Sequence, residues 1–357
     1  MVLYYVFIAV PRLELSEQRN WPRRQRKLQP FRGKSMSEPA QVNDGVASNV
    51  RALAPADLDR VVGIDRAITG ASRRGFFEKR IAAAERAPRA YVSLGFVENG
   101  RVEGFVMAHL LHGEFGGREP VAVLDAIATS PAARGHGGAH ALMAALEDVA
   151  RRRGARELRT QVLWSDQPLV HFLTAAGFSL GHRLVLQRPC GRIEGEVATG
   201  ETEQDDSKDY SRDRLAMRSM KRDDLGAIAG IDRRVTGEDH SAYFARKLDE
   251  ALTQSGVRVS IVADFRDTPA GFVMARVDYG EFGETAAEAV MDTLAVHPEF
   301  AGRHVGAAMM RQLLANLQTL RVERIRTELG WDEFELLAFL KRLGFRPSAR
   351  LSLTRAL

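Results

Sequence analysis

The residues best placed to do chemistry stand between an apolar run and a long amphipathic one: Asp125, Pro131, and then Arg134-Gly135-His136-Gly137-Gly138-Ala139. A strand that ends in proline, followed by a glycine-rich turn that opens a helix, points several free backbone N–H groups at one spot. The helix dipole adds partial positive charge there, so the turn suits an anion such as a pyrophosphate. Small side chains let the backbone come close to that ligand. Asp125, on the strand just before the turn, is a candidate base for an incoming nucleophile.

The same layout is written twice. Gly63-Ile-Asp-Arg66 returns as Gly230–Arg233, a shift of 167 that also carries Thr69-Gly70 onto Thr236-Gly237 and Gly104–Ala108 onto Gly271–Ala275. Gly113-Glu-Phe-Gly116, Trp164 and Gly177-Phe178 recur as Gly280–Gly283, Trp331 and Gly344-Phe345, and the carboxylate recurs as Asp292. An unbroken register over that length means a duplicated domain, not a solenoid of short units. The second turn has diverged: it reads Pro298-Glu-Phe-Ala301-Gly302-Arg303-His304-Val305-Gly306, with alanine in place of Arg134 and histidine in place of Gly137.

The periodicity around these residues alternates between helix and strand. Ala56–Arg66 carries Leu58, Val61, Val62 and Ile64 at helical spacing, and Phe76–Ala87 offers a second helix. Tyr91–Val97 and Gly104–Leu111 read as strands joined by an Asn99-Gly100 hairpin turn. The apolar strand Val121–Thr129 leads through the turn into the helix Gly137–Arg153, followed by strand Leu158–Leu163, helix Leu169–Ala176 and strand Leu184–Gln187. A short strand near Val50–Ala52 comes first. The fold class is therefore α/β, with two tandem domains, each a mixed and mostly antiparallel sheet flanked by helices. They span 49–189 and 215–357. The stretch 190–214, almost without large apolar side chains, reads as a flexible linker. Residues 1–48 read as a leader that is disordered or, with a true start at Met36, not translated up to that point; a targeting leader is the rival account.

Composition narrows the function classes. At 45% hydrophobic and 27% charged residues, the chain has what two soluble domains need to bury their own cores. Residues 1–35 hold eight Lys/Arg against two Glu, a net of +6 against +5 for the whole chain, so the remainder is about −1. The repeats thus lack the basic face that a nucleic-acid backbone demands, and no nucleic-acid partner is expected. Met1–Val10 is too short to span a bilayer, so no membrane partner is expected either. The single cysteine, Cys190, suits a reducing compartment and reads as an incidental thiol, which places the chain in the cytoplasm. No spacing of His, Cys or carboxylates fits a metal.

Arg134-x-x-Gly137-x-Ala139, with Pro131 three residues before it, resembles the Arg/Gln-x-x-Gly-x-Gly/Ala signature of the GNAT superfamily of N-acetyltransferases. The resemblance runs through each repeat to its closing Gly-Phe pair. It implies acetyl-CoA as cosubstrate, with the pyrophosphate on the amides of Gly135, His136, Gly137, Gly138 and Ala139 beside Arg134. It also implies pantetheine paired along the strand edge at Ile127, Ala128 and Thr129. The matching positions of the second copy are Leu294, Val296, Gly302, Arg303, His304, Val305 and Gly306, where weaker binding is expected. By the same resemblance Asp125 and Asp292 are candidate bases, although a carboxylate held by backbone amides or an arginine fits them as well. The family often places a tyrosine acid where this chain has Leu173 and Leu340.

The expected function is acetyl transfer from acetyl-CoA to an amine, a small molecule rather than a protein. Attack on the thioester would be direct, in the first repeat, with the oxyanion held by a backbone N–H near Ile127. The alternative is a non-catalytic acyl-CoA-binding regulatory or scaffold protein. The two halves are expected to pack as a pseudo-dimeric monomer. Asp65, Arg66 and Thr69, with Asp232, Arg233 and Thr236, read as helix capping and a local ion pair, or as a border of the acceptor pocket. Trp164 and Trp331 are expected to pack beside the last helix of each repeat, and Glu114 and Glu281 to stand in solvated turns.

Overall fold

The structure, a computed structural model, describes residues 49–111, 120–191, 215–253, 259–279, 281–283 and 287–357. The expected leader, nearly all of the linker and the Gly113–Gly116 turn with Glu114 lie outside the described residues. So does the side chain of Glu281.

The first repeat runs β1 (Val50–Ala52), α1 (Leu58–Thr69), α2 (Arg74–Arg86), β2 (Tyr91–Glu98), β3 (Arg101–Leu111), β4 (Val121–Thr129), α3 (Gly138–Arg152), β5 (Glu157–Leu163), α4 (Gln167–Ala175), β6 (Ser179–Leu180) and β7 (Arg183–Pro189). The second runs β8 (Leu215–Ser219), α5 (Leu225–Thr236), α6 (Ser241–Thr253), β9 (Ile261–Phe265), β10 (Thr268–Tyr279), β11 (Ala287–Val296), α7 (Val305–Thr319), β12 (Arg324–Gly330), α8 (Phe334–Arg342), β13 (Arg346–Pro347) and β14 (Arg350–Ala356). Each sheet is sandwiched. In the first, Val61, Ile64, Phe76, Phe77 and Ile81 of α1 and α2 pack on one face, and Leu142, Leu146 and Leu173 of α3 and α4 on the other.

Local chemistry explains the boundaries. α1 and α5 stop at Gly70 and Gly237, whose φ values of 75° and 78° are left-handed and suit glycine. The turn between β2 and β3 has positive φ at both Asn99 and Gly100, the type I′ geometry that the Asn-Gly pair predicts. The second repeat makes the same turn with Arg266 and Asp267, where no glycine signals it.

The two sheets trade their ends. The first is ordered β1-β2-β3-β4-β5-β14-β6 and the second β8-β9-β10-β11-β12-β7-β13. The last long strand of the chain, β14, thus pairs antiparallel with β5 from Arg350↔Leu163 to Ala356↔Glu157. In return β7 pairs with β12 from Arg183↔Gly330 to Pro189↔Arg324. Leu353 belongs to the core of the first sheet, and Leu186 and Cys190 to that of the second. Burial there pushes the Cys190 thiol up to about 11, so it stays protonated and unreactive near neutral pH.

Between the sheets, equivalent residues meet. Gln161 donates from Nε2 to Oε2 of Glu328, 167 residues on, at 2.6 Å. Contact between equivalent positions is what a two-fold relation between the repeats produces. The other oxygen of Glu328 accepts from Ser352 at 2.7 Å and from Arg183 at 3.1 Å, so this buried carboxylate is held by both exchanged strands. Deleting residues 350–357 should therefore strip hydrogen-exchange protection from the β5 amides, almost two hundred residues upstream. Retained protection at Glu157–Leu163 would show that the first sheet does not need β14.

Candidate functional site

In each sheet two adjacent parallel strands part company. β4 and β5 pair only over Val121↔Glu157, Ala122↔Leu158 and Val123↔Arg159, and β11 and β12 only over Glu288↔Arg324 to Val290↔Arg326. Beyond those residues the strands diverge into a cleft. Thr160 closes its root by donating to the carbonyl of Leu124 at 2.9 Å, and Thr327 does the same to Met291 at 3.1 Å. The edge of β4 that faces the cleft has lost its partner strand, so its N–H and C=O groups suit a ligand that pairs like a strand.

A bulge sits beside each root. Met107 pairs with Ala126 and Ala108 with Leu124, which leaves Asp125 unmatched; Asp292 is skipped in the same way between Thr293 and Met291. The bulge turns Asp125 toward α1 and α2, where Arg80 reaches it at 3.2 Å. His109 of β3 completes the cluster, with Nδ1 2.9 and 3.0 Å from the two carboxylate oxygens. The Asp125 side chain is wholly buried. The counterparts of Arg80 and His109 are Lys247 and Arg276. Arg276 lies 3.6 Å from Asp292, whose Oδ1 has no hydrogen-bond partner among the described residues. Sequence reasoning found the two aspartates and missed Arg80 and His109, which are distant in sequence and carry no motif.

At the far end of β4 the turn has the backbone its glycines imply. Ser130 caps the short 3-10 turn at Pro131–Ala133, and Gly135 and Gly137 take φ of 84° and 78°. α3 then begins at Gly138 with no side-chain cap, which leaves its first N–H groups open. Gly138 is required by packing: a Cβ there would lie 2.8 Å from the ring of Phe96. Arg134 is exposed and has no ion-pair partner among the described residues, whereas His136 leans on Glu98 at 3.1 Å. Glu103 hydrogen-bonds Ser130 and Arg60, which fixes the approach to the turn; the Ser130 bond holds its carboxyl below the usual range.

The second turn keeps this shape after losing its sequence. Ala301 has the extended backbone of Arg134, Gly302 has a φ of 73°, and His304 adopts the left-handed φ of 57° in the place of Gly137. Val305 replaces Gly138, and Ala263 replaces Phe96 opposite it, so the large and small partners have changed sides. The clefts themselves differ more. Ile127, Ala128 and Thr129 are half-buried, while Leu294, Val296 and Gly306 are buried. Phe339 of α8 is 6% exposed and packs on Gly306, where an added Cβ would lie 3.3 Å from the ring and 3.5 Å from Val296. In the first repeat the equivalent Phe172 is half-buried and meets His140 of α3 edge-on at 5.6 Å. His140 is replaced by Ala307, and Ala139 by Gly306, so Phe339 lies directly over the helix backbone.

Among the remaining recurring residues, Asp65, Thr69 and Asp232 make local contacts within their own repeats. Asp65 is buried in an ion pair with Arg73, and Thr69 returns its hydroxyl to the carbonyl of Asp65 at 3.0 Å. In the second repeat His240 replaces Arg73 at 2.6 Å from Asp232, whose carboxyl is pushed up by burial. Trp164 and Trp331 do not pack away beside the last helices as expected. They are 59% and 47% exposed, because each follows the last residue of its strand, outside the α3 and α7 cores. Leu173 and Leu340 are core residues, and no phenol stands in their place. The turn Glu281–Gly283 rests against β4 and β5, with the Phe282 carbonyl accepting from Arg350 at 3.3 Å.

This geometry agrees with comparisons to known proteins. The model of the acetyltransferase (GNAT) family matches residues 65–178 and again 226–345, and the chain belongs to that family. No curated protein matches the sequence. Solved structures share the fold. A tandem GNAT protein from the clavulanic acid biosynthesis pathway superposes with a TM-score of 0.57 at 19% identity, over 86% of this chain and 98% of that one. A GCN5-related N-acetyltransferase from Sphaerobacter thermophilus gives 0.53 at 12% identity, over 87% and 97%. A fungal multi-domain GH3 beta-N-acetylglucosaminidase with a GCN5-related glucosamine N-acetyltransferase region gives 0.56 at 16% identity over 88% of this chain. This chain spans 39% of that protein's length.

A left-handed backbone costs an L-residue with a Cβ roughly 1–2 kcal/mol. His304→Gly should therefore raise stability by about 1 kcal/mol, once the extra freedom glycine brings to the unfolded chain is subtracted. Equilibrium urea unfolding measures this, and an unchanged or lower midpoint would mean that the imidazole makes a compensating contact.

Proposed function

We propose that this chain transfers an acetyl group from acetyl-CoA to an amine of a small molecule, in the cleft of the first sheet. The observation that carries the proposal is the contrast between the two clefts. One has an open strand edge, a glycine turn with free amides and an Arg134 without an ion-pair partner among the described residues, while in the other Phe339 packs on the first turn of α7.

The first cleft fits the cosubstrate in each of its parts. Amides at Gly137, Gly138 and Ala139, at the positive end of α3, suit the pyrophosphate, with Arg134 at hand. The edge at Ile127–Thr129 suits the amide-bearing pantetheine arm, and it leads to the bulge at Asp125. When bound, acetyl-CoA supplies an activated acyl group. The chain's task is then to orient the thioester, hold the developing oxyanion on a backbone N–H near Ile127, and relieve the amine of a proton. No covalent enzyme intermediate is required. With leucine in place of a tyrosine acid, the thiolate leaves unassisted by a phenol, which a thiol of pKa about 8.5 tolerates near neutral pH. A lone buried thiol suits the cytoplasm, and acting as a single chain whose halves imitate a dimer is part of the same proposal.

Calorimetric titration of the full chain with acetyl-CoA should give one site. No binding at millimolar cosubstrate would overturn the reading, and two sites would overturn the assignment to the first cleft. Phe339→Ala removes the side chain that fills the second cleft. It should either raise the stoichiometry toward two or, if the altered turn is too weak by itself, leave it at one. In neither case should the affinity of the first site change.

A further inference from the structure

The imidazole of His109 belongs to neither the binding turn nor the strand edge, yet it stands in register with Val123, the residue at which β4 and β5 part. We propose that His109 is the general base of the first site and that Asp125 is a positioning residue that acts through it. This deepens the function proposed above and rests on it.

Asp125 is badly placed to meet an amine itself. Its side chain is wholly buried and held between Arg80 and His109. The His109 side chain is 16% exposed, so it has the outlet that the carboxylate lacks. Both carboxylate oxygens lie within 3.0 Å of Nδ1, and a carboxylate only accepts. The neutral ring therefore carries its hydrogen on Nδ1 and leaves a lone pair on Nε2. Imidazole ordinarily titrates near neutral pH, which suits a group that must take a proton from an alkyl ammonium of pKa about 10. The charged or titratable groups that face the ring among the described residues are Asp125 of β4, Arg80 of α2 and Tyr91 of β2, the last with its ring centroid 6.4 Å away.

The second repeat carries the contrast. Arg276 stands where His109 does, and a guanidinium has no lone pair with which to accept a proton. The base is thus absent from the same copy whose cleft Phe339 fills. The two changes lie on opposite faces of the sheet, and a shared loss of function accounts for both.

The step balances. Nε2 of His109 takes a proton from the ammonium, and the freed nitrogen lone pair forms the C–N bond at the thioester carbonyl. The C–S bond breaks with its electron pair on sulfur. A second N–H proton passes to the thiolate, giving amide and thiol, and the imidazolium returns its proton to solvent.

The test follows CoA release from acetyl-CoA by the full chain across the neutral pH range. Two acceptors are compared: a panel of primary alkylamines, and hydroxylamine, which is already unprotonated at neutral pH and needs no base. His109→Gln keeps an N–H for Asp125 but takes no proton. It should slow alkylamine acetylation by ~100-fold and abolish the acid limb of its pH profile. Hydroxylamine turnover and acetyl-CoA affinity should stay within a few-fold of wild type. An intact acid limb, or an equal loss with both acceptors, would overturn the base assignment while leaving the acetyltransferase reading in place. Failure of the wild-type chain to release CoA with either acceptor would remove that reading and this one with it. Nitrogen-15 shifts of the His109 ring give an independent check: the Nδ1–H tautomer is expected, lost in Asp125→Asn, and an Nε2–H tautomer in the wild type would sink the proposal.

Discussion

A β-strand buried in a sheet must find partners for the N–H and C=O groups on both of its edges, and β5 and β12 cannot find them within their own repeats. β5 is completed by β14 from the far end of the chain, and β12 by β7 from the first repeat. Everything at the candidate site depends on this exchange. β5 forms one arm of the first cleft, and among the described residues its outer edge is paired by a strand of the second repeat. Glu328 reinforces the joint at its centre, as a buried carboxylate that takes hydrogen bonds from Gln161, Arg183 and Ser352. A buried charge of this kind is tolerated only with partners, and removing them leaves a charge that costs about 3–5 kcal/mol. The second repeat therefore retains a structural duty whatever becomes of its own cleft.

With that duty retained, the two clefts were free to diverge. The second turn holds its left-handed shape at His304 without glycine, and where the first repeat sets Phe96 against Gly138 the second has Ala263 and Val305 in one core. These are volume-conserving changes, the kind that cores tolerate best. A small change on the first turn of α7 then decides access. Gly306 and Ala307 expose enough of the helix for Phe339 to settle on it, whereas Phe172 meets the ring of His140.

The cluster around the bulge shows the same division. The β-bulge is kept in both copies, together with its aspartate, so the carboxylate is a fixed feature of the fold. Its neighbours are not. His109 and Arg80 surround Asp125, while Arg276 lies beside Asp292 and Lys247 replaces Arg80 in the repeat. Recurrence of the aspartate alone said little about chemistry, because a bulge residue that pairs with a cation is inherited whether or not it is used.

Much of the architecture was legible in the residues. The shift of 167, the period-two and helical apolar patterns, the Asn-Gly turn and the glycine-rich run before α3 are local signals, set by φ/ψ preference and by which face of an element is apolar. They determined the number of repeats, the order of the elements and the place of the glycine-rich turn. Some local geometry escaped because it is held without its usual residues, as at Arg266-Asp267 and His304, where surrounding contacts override propensity. Strand exchange, the filling of one cleft and the meeting of His109 with Asp125 could not be read along the chain. Each joins residues that are remote in sequence, and sheet pairing, ring packing and ion pairing depend on distances that only the folded chain defines.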